Sequence, residues 1–311
     1  MPSLCQALIF VSVIVLVISP LHASQNTPED NKDLIMMSVV VWNRSGLTKG
    51  LKREVFTVMD EKVVRPIEFF DDADTPVSIG ILVDNSGSMQ ASLLGGASKQ
   101  KVLGEELKLF LTTGHPDNEY FLMSFSKTPK LLADWSRAND MLARTFDVEE
   151  PKHDTALYDT VFLALEKIHS GQRKRRALVL LSDGQDNLSR HTFKEVRNAL
   201  RATDVTLYVI GIMGASDVGS SLGMEGQGIL DELSETTGGA ASYPTSRKEL
   251  TKAFSTIGGE LHHHYRLGFR PDKSDGPNKW RRLKIKVTVP PNPPPELKNL
   301  SVRGRYGYYT R

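Results

Sequence analysis

The chain has 311 residues, 40% of them hydrophobic, with 39 Lys and Arg against 37 Asp and Glu and a formal net charge of +2. That length and apolar share support one large or two modest domains with a substantial core, which excludes a chain disordered throughout. The basic residues are spread among nearly as many acids, excluding the strong positive field of a nucleic-acid binder, and a single cysteine, Cys5, excludes a disulfide framework.

Residues 4–19 are nearly all apolar, Pro20, Leu21, His22, Ala23 and Ser24 follow, and the first charged side chain is Glu29. This pattern predicts an export signal, residues 1–23, cut after Ala23 and followed by a polar linker, 24–33. No Lys or Arg precedes the apolar run, so an uncleaved anchor is the alternative, although the run is short for a membrane span. Cys5 lies inside this segment, leaving the mature chain without thiol chemistry. Cysteine-free export suits a bacterial periplasm or the bacterial exterior, where the sequons at Asn43, Asn187 and Asn299 carry no consequence.

An N-terminal β segment, 34–74, comes next: alternation predicts strands at 37–42, 54–59 and 63–70, with turns at 43–46 and at Asp60, Glu61 and Lys62. It is too small to stand alone comfortably. From Pro76 the pattern changes to strands alternating with helices, predicting strands at 77–83, 119–126, 177–181, 206–212 and 241–243. Helical periodicity occupies 101–113, 156–169, 192–202, 229–236 and 248–261. This is the signature of an α/β domain, 75–261, with a doubly wound, mainly parallel, Rossmann-like sheet. The C-terminal segment, 262–311, returns to β, with strands at 265–269, 282–289 and 301–309 and a stiff proline-rich run at 290–295. With β pieces on both sides of the α/β unit, the simplest packing is one small β-sandwich made from both ends, the α/β domain being inserted into it.

The chemistry concentrates where buried strands end. Asp84, Asn85, Ser86, Gly87 and Ser88 follow the apolar run 77–83, so a carboxylate and two hydroxyls can converge on one small hard cation. Hydroxyls are neutral ligands, which leaves a bound Mg²⁺ under-compensated and open to an outside acidic group. Asp183 stands at the end of a second strand and Thr155 at the entry to a helix, so three loops offer oxygen ligands to one place, as open parallel sheets do at the carboxyl ends of their strands. The local alternative, an Asx-rich turn capping the next helix, accounts for the first loop alone and not for the other two.

Asp84, Ser86, Ser88, Thr155 and Asp183 together resemble the Asp-x-Ser-x-Ser, Thr and Asp pattern of von Willebrand factor type A domains with a metal-ion-dependent adhesion site. The resemblance implies Mg²⁺, with Mn²⁺ or Ca²⁺ as substitutes, ligated directly by Ser86, Ser88 and Thr155 and often through water by Asp84 and Asp183. It implies further that an acidic residue of a protein partner fills the last coordination position. A closer resemblance covers most of the mature chain: 39–41, 50–51, 56–58, 155–159, 182–187 and Tyr265, Arg266, Leu267, Gly268, Phe269 are similar to the bacterial VWFA-related family named for acidobacterial proteins.

Other features have simpler readings. His262, His263 and His264 cannot all reach one ion from an extended chain and are expected at a solvent-exposed junction. Arg173, Lys174, Arg175 and Arg176 read as a solvated connection, and His153 as a surface-loop residue near Thr155. Residues 90–100 and the Gly- and Ser-rich stretch 214–228 are expected to be loops shaping partner choice at the metal-bearing face, or else plain spacers. The leading expectation is an exported, adhesion-type module that binds protein and not nucleic acid, with no membrane span in the mature chain. A structural subunit of an envelope assembly with a dispensable metal site is the alternative. A metal-dependent hydrolase is disfavoured, because Ser86 stands where an aspartyl phosphatase needs its second Asp and neither Gly-Lys-Ser/Thr nor His-Glu-x-x-His occurs.

Overall fold

The computed structural model describes residues 33–87, 99–142, 154–213, 219–272, 276–289 and 291–310. The expected export signal and nearly all of the linker lie outside these residues. No helix among the described residues is long and apolar enough to cross a membrane.

The first half of the chain gives β1 (Ile35–Asn43), β2 (Gly46–Leu47), β3 (Phe56–Asp60), β4 (Val63–Arg65), β5 (Phe69–Asp71), β6 (Val77–Asp84), α1 (Lys99–Thr113), β7 (Glu119–Phe125), β8 (Pro129–Ser136), α2 (Ala138–Leu142) and α3 (Leu157–Ile168). The second half gives β9 (Arg175–Ser182), α4 (Phe193–Arg201), β10 (Thr206–Gly211), α5 (Ser221–Thr236), β11 (Ala241–Ser242), α6 (Arg247–His262), β12 (Tyr265–Phe269), β13 (Trp280–Val287), β14 (Ser301–Gly304) and β15 (Gly307–Tyr309).

The central sheet runs β11-β10-β9-β6-β7-β8, parallel except for β8. Seven of the eight residues of β6 are buried, as a strand covered on both faces requires. Alternate residues serve opposite layers: Ile79, Ile81, Val179 and Leu181 pack with α1 and α6, whereas Leu82, Leu178 and Leu180 pack with α3, α4 and α5. In α3 the buried positions 157, 160, 161, 164, 165 and 168 form one helical stripe. The chain leaves β6 toward β7 and β8, then returns to the other side of β6 for β9, β10 and β11. The order therefore reverses between β6 and β9, and that crevice is where this architecture collects ligands.

Both ends of the chain build two antiparallel sheets, one ordered β14-β1-β12-β5 with β2 on β1, the other β15-β13-β3-β4. Val39, Val41, Tyr265 and Leu267 of the first meet Phe56, Val58, Leu283 and Tyr308 of the second in one apolar core, as expected of a sandwich completed from both termini. Three details depart from the sequence reading. The single strand expected at 301–309 is two, β14 pairing with β1 and β15 with β13, in different sheets. The single strand expected at 63–70 is broken around Pro66, where no N–H is available; β4 pairs with β3 and β5 with β12, in different sheets. The antiparallel edge strand β8 was not anticipated, because only Ala133 of its eight residues is buried and its sequence lacks a periodic signal.

Candidate metal site

Asp84 ends β6 and Asp183 follows β9, on either side of the reversal point. Asp84, Ser86, Thr155 and Asp183 are 2%, 1%, 4% and 1% exposed; Ser88 and His153 lie outside the described residues. Buried polar groups need hydrogen bonds or an ion. Asp84 Oδ1 accepts from the Ser86 amide at 2.8 Å and Oδ2 from the Ser182 hydroxyl at 2.7 Å. Asp183 Oδ1 accepts from the Gln185 amide at 3.1 Å, whereas its Oδ2 is buried with no hydrogen-bond partner. Burial, together with the nearby Asp183 carboxylate, pushes Asp84 up from its ordinary 3.8 to about 7, against the lowering effect of the bonds from Ser86 and Ser182. Two buried carboxylates, one with an unused oxygen, together with hydroxyl-bearing residues, suit a hard divalent cation.

The end of β7 draws two of the three loops together. The Asn85 amide donates to Phe125 O at 2.7 Å and the Ala156 amide to Ser126 O at 2.7 Å. Thr155 is then fastened to the loop that carries Asp183. Its amide donates to Asn187 Oδ1 at 2.8 Å, and its carbonyl accepts from the Asn187 and Leu188 amides at 3.1 Å each. The helix that follows, α3, starts at Ala156 with no side-chain cap of its own. Its first amides are satisfied from outside, Tyr158 by Asp186 Oδ1 at 3.3 Å and Asp159 by Ser189 Oγ at 3.0 Å. In return, Asp159 Oδ1 accepts from the Arg190 and His191 amides at 3.0 and 2.9 Å. Sequence reasoning singled out Asp84, Thr155 and Asp183 but assigned no role to Ser182, Asp186, Asn187, Ser189 or Asp159. The signal for Ser182, Asp186 and Asn187 was the polar string 182–187 directly after a buried strand, and for Asp159 the string 155–159.

The stretch expected to be a Gly-rich loop is helical from Ser221 onward, which corrects that reading. Ser220 caps α5 by accepting from the Gly223 amide at 3.0 Å. The glycines that disguised the helix admit close packing: Gly184 has φ +84°, and a Cβ there would lie 2.4 Å from Gly226 O, while a Cβ on Gly226 would lie 2.5 Å from Asp183 O. The α5 backbone thus rests directly on the Asp183 loop. Residues 90–98 of the other expected loop lie outside the described residues.

The basic and histidine runs also differ from expectation. Arg175 is 5% exposed and belongs to β9, where it donates to Thr75 O at 2.7 Å and to Leu261 O. His264 is likewise buried, its Nδ1 2.8 Å from Arg175 Nη2 and 3.0 Å from Glu260 O; burial and Arg175 depress it to about 3. His262 contacts Asp74 at 2.9 Å and His263 contacts Lys49 at 2.6 Å, so the three rings serve three different partners. Among the described residues no group of three or more His, Cys, Asp or Glu is placed to hold a metal ion.

Residues 79–185, the span from the middle of β6 to the Asp183 loop, match the family model of the von Willebrand factor type A domain. The α/β part of this chain has a fold like that of von Willebrand factor type A (vWA) domains. Its fold is similar to that of the PilB minor pilin from Streptococcus sanguinis, at 17% identity and a TM-score of 0.51, with 63% of each chain covered. Proximal thread matrix protein 1 from the mussel byssus, in a structure with a zinc-occupied MIDAS motif, matches at 16% identity and a TM-score of 0.50, covering 66% of this chain and 50% of that one. The chain thus spans less than two thirds of the length of either protein. No curated protein matches the sequence.

Proposed function

We propose that this is an exported, adhesion-type protein-binding module that captures an acidic residue of a partner through a divalent cation held by Asp84, Ser86, Ser88, Thr155 and Asp183. The observation that carries the reading is the Asp183 Oδ2 atom, buried and unpartnered beside a second buried carboxylate that is itself pushed up to about 7. Left alone, such a pair costs free energy; a cation between the carboxylates removes the repulsion and uses the spare oxygen. Mg²⁺ is the primary candidate, and Mn²⁺ and Ca²⁺ suit the same oxygen donors. The zinc named for the mussel protein's motif adds Zn²⁺ to the metals to be tried. The cation would supply an electrophilic docking point. Around it, Ser182 holds Asp84 in place, and Asn187 holds the Thr155 backbone. The apolar stretch at 4–19 supports export, and the pilin neighbour is compatible with a role outside the cytoplasm.

The test is affinity capture of bacterial envelope proteins by the mature chain in Mg²⁺ and in chelator, with Asp84→Ala as control. Capture that needs metal and is lost in Asp84→Ala is expected. Capture undiminished by chelator and by Ser86→Ala, but abolished by altering strand β13, would replace this reading with that of a structural subunit. Metal-dependent turnover of a phosphoester or peptide, lost in Asp84→Ala, would make it an enzyme.

A further inference from the structure

At the opposite end of the central sheet lies a second cleft, of about 310 Å³, between the α/β domain and the β-sandwich. Arg176, Arg201, Arg305 and His169 line it, and Asp204 is the only acid among its described lining residues. It is remote from the metal loops: Arg176 and Ser182 lie six residues apart on β9, about 20 Å at some 3.3 Å per residue.

Arg176 and Arg201 are short of counter-charge among the described residues. Arg176 has no ion-pair partner among the described residues, and its Nε is buried without a hydrogen bond. Arg201 donates to the Tyr306 hydroxyl at 2.9 Å and lies 4.5 Å over the Trp280 ring; both partners are neutral, and its Nε too is buried without a partner. Arg305 is 8% exposed and donates to the carbonyls of Gly307, Thr203 and Arg201 at 2.8, 3.0 and 2.6 Å. The last two of those carbonyls belong to the C-terminal end of α4, whose negative dipole would repel an anion. Arg305 masks that end and leaves the cleft positive.

Guanidinium groups match the forked geometry of phosphate oxygens, and Arg201, held against an aromatic ring, loses little freedom on binding. The volume exceeds what inorganic phosphate fills and is at the lower bound of small-molecule sites. We propose that this cleft binds a phosphate monoester, its phosphate group held by Arg176 and Arg201 and its organic part lying toward Tyr309 and Met36. The site is separate from the proposed metal site and stands or falls independently of it.

The test uses the mature chain in chelator, which prevents phosphate from binding through a metal. Inorganic phosphate, glycerol 3-phosphate and acetate are titrated at matched ionic strength by calorimetry and thermal shift. Glycerol 3-phosphate is expected to bind with Kd below about 1 mM and more tightly than inorganic phosphate, with no acetate binding. Arg176→Gln should weaken it by about tenfold or more, whereas Arg53→Ala, a change at an exposed residue elsewhere, should leave it unaltered. Each variant is compared with its own ligand-free melting temperature, so loss of stability cannot be mistaken for loss of binding. Co-sedimentation with vesicles containing phosphatidic acid tells a lipid headgroup from a soluble ester; either source supports the site if Arg176→Gln abolishes it. Absence of binding by both sources, or binding equal in Arg176→Gln, overturns the proposal.

Discussion

Asp84 and Asp183 are a liability unless something positive lies between them. With Asp84 raised from 3.8 to about 7, its contribution to the stability of the metal-free fold is fully present below pH 3.8 and is lost as pH rises through about 7. Metal binding by the proposed site runs the other way, because it needs the carboxylate. Affinity for Mg²⁺ or Mn²⁺ should therefore be flat above pH 7, with no proton released, and fall by about tenfold per pH unit well below it, with about one proton released per metal bound. Metal titrations between pH 5.5 and 8 in buffers of different ionisation enthalpy measure both quantities. An affinity independent of pH across that range would mean that Asp84 is not a ligand. The residue types were legible from the sequence, since Asp, Ser and Thr after buried strands have few other uses in such numbers. Their pairing was not, because the bond from Ser182 to Asp84 joins residues 98 positions apart.

At the scale of elements, the site depends on how two helices begin. The α3 helix has no cap of its own and borrows one from the Asp186 and Ser189 side chains, so Thr155 is held only while the neighbouring loop is in place. The α5 helix approaches that same loop through Gly226, where a Cβ would lie 2.5 Å from the Asp183 carbonyl oxygen. Gly226→Ala improves helix propensity yet must push α5 off the loop. It is expected to cost about 1–3 kcal/mol and to weaken metal binding. Urea unfolding and Mn²⁺ titration are the measurements. A variant more stable than the parent, with unchanged affinity, would show that the contact is slack. Here local pattern misled: glycines that read as loop are the means by which a helix packs closely, a property of the partner surface and not of the segment.

For the whole molecule, the decisive feature is that neither terminal β segment can bury its apolar face alone. Asp60 makes the dependence specific. It was read as part of a turn, but it ends β3, is wholly buried, and contacts Arg281 of β13 at 2.7 Å, Arg65 of β4 at 3.3 Å and the Tyr308 hydroxyl of β15 at 3.3 Å. One carboxylate thus ties all four strands of a sheet drawn from both ends of the chain. Asp60→Ala removes the carboxylate that the buried Arg281 guanidinium contacts at 2.7 Å and is expected to cost about 3–5 kcal/mol, read from urea or thermal unfolding. A loss below about 1 kcal/mol would show that Arg281 and Arg65 reach solvent instead.

The sequence by itself determined most of the strands and helices, the mainly parallel α/β sheet flanked by β segments, and the oxygen-bearing residues at strand ends, because strand and helix periodicities and strand-end residue types are local properties. Only the tertiary structure decided that Pro66 sends adjacent strands to different sheets, that the 182–191 loop caps a helix and fastens Thr155, and that Arg175 and His264 are buried at a junction. It alone brought Arg176, Arg201 and Arg305 to one cleft. Those outcomes rest on pairings between distant residues, and the energy of such a contact depends on what folding places opposite a side chain, which no window of neighbouring residues contains.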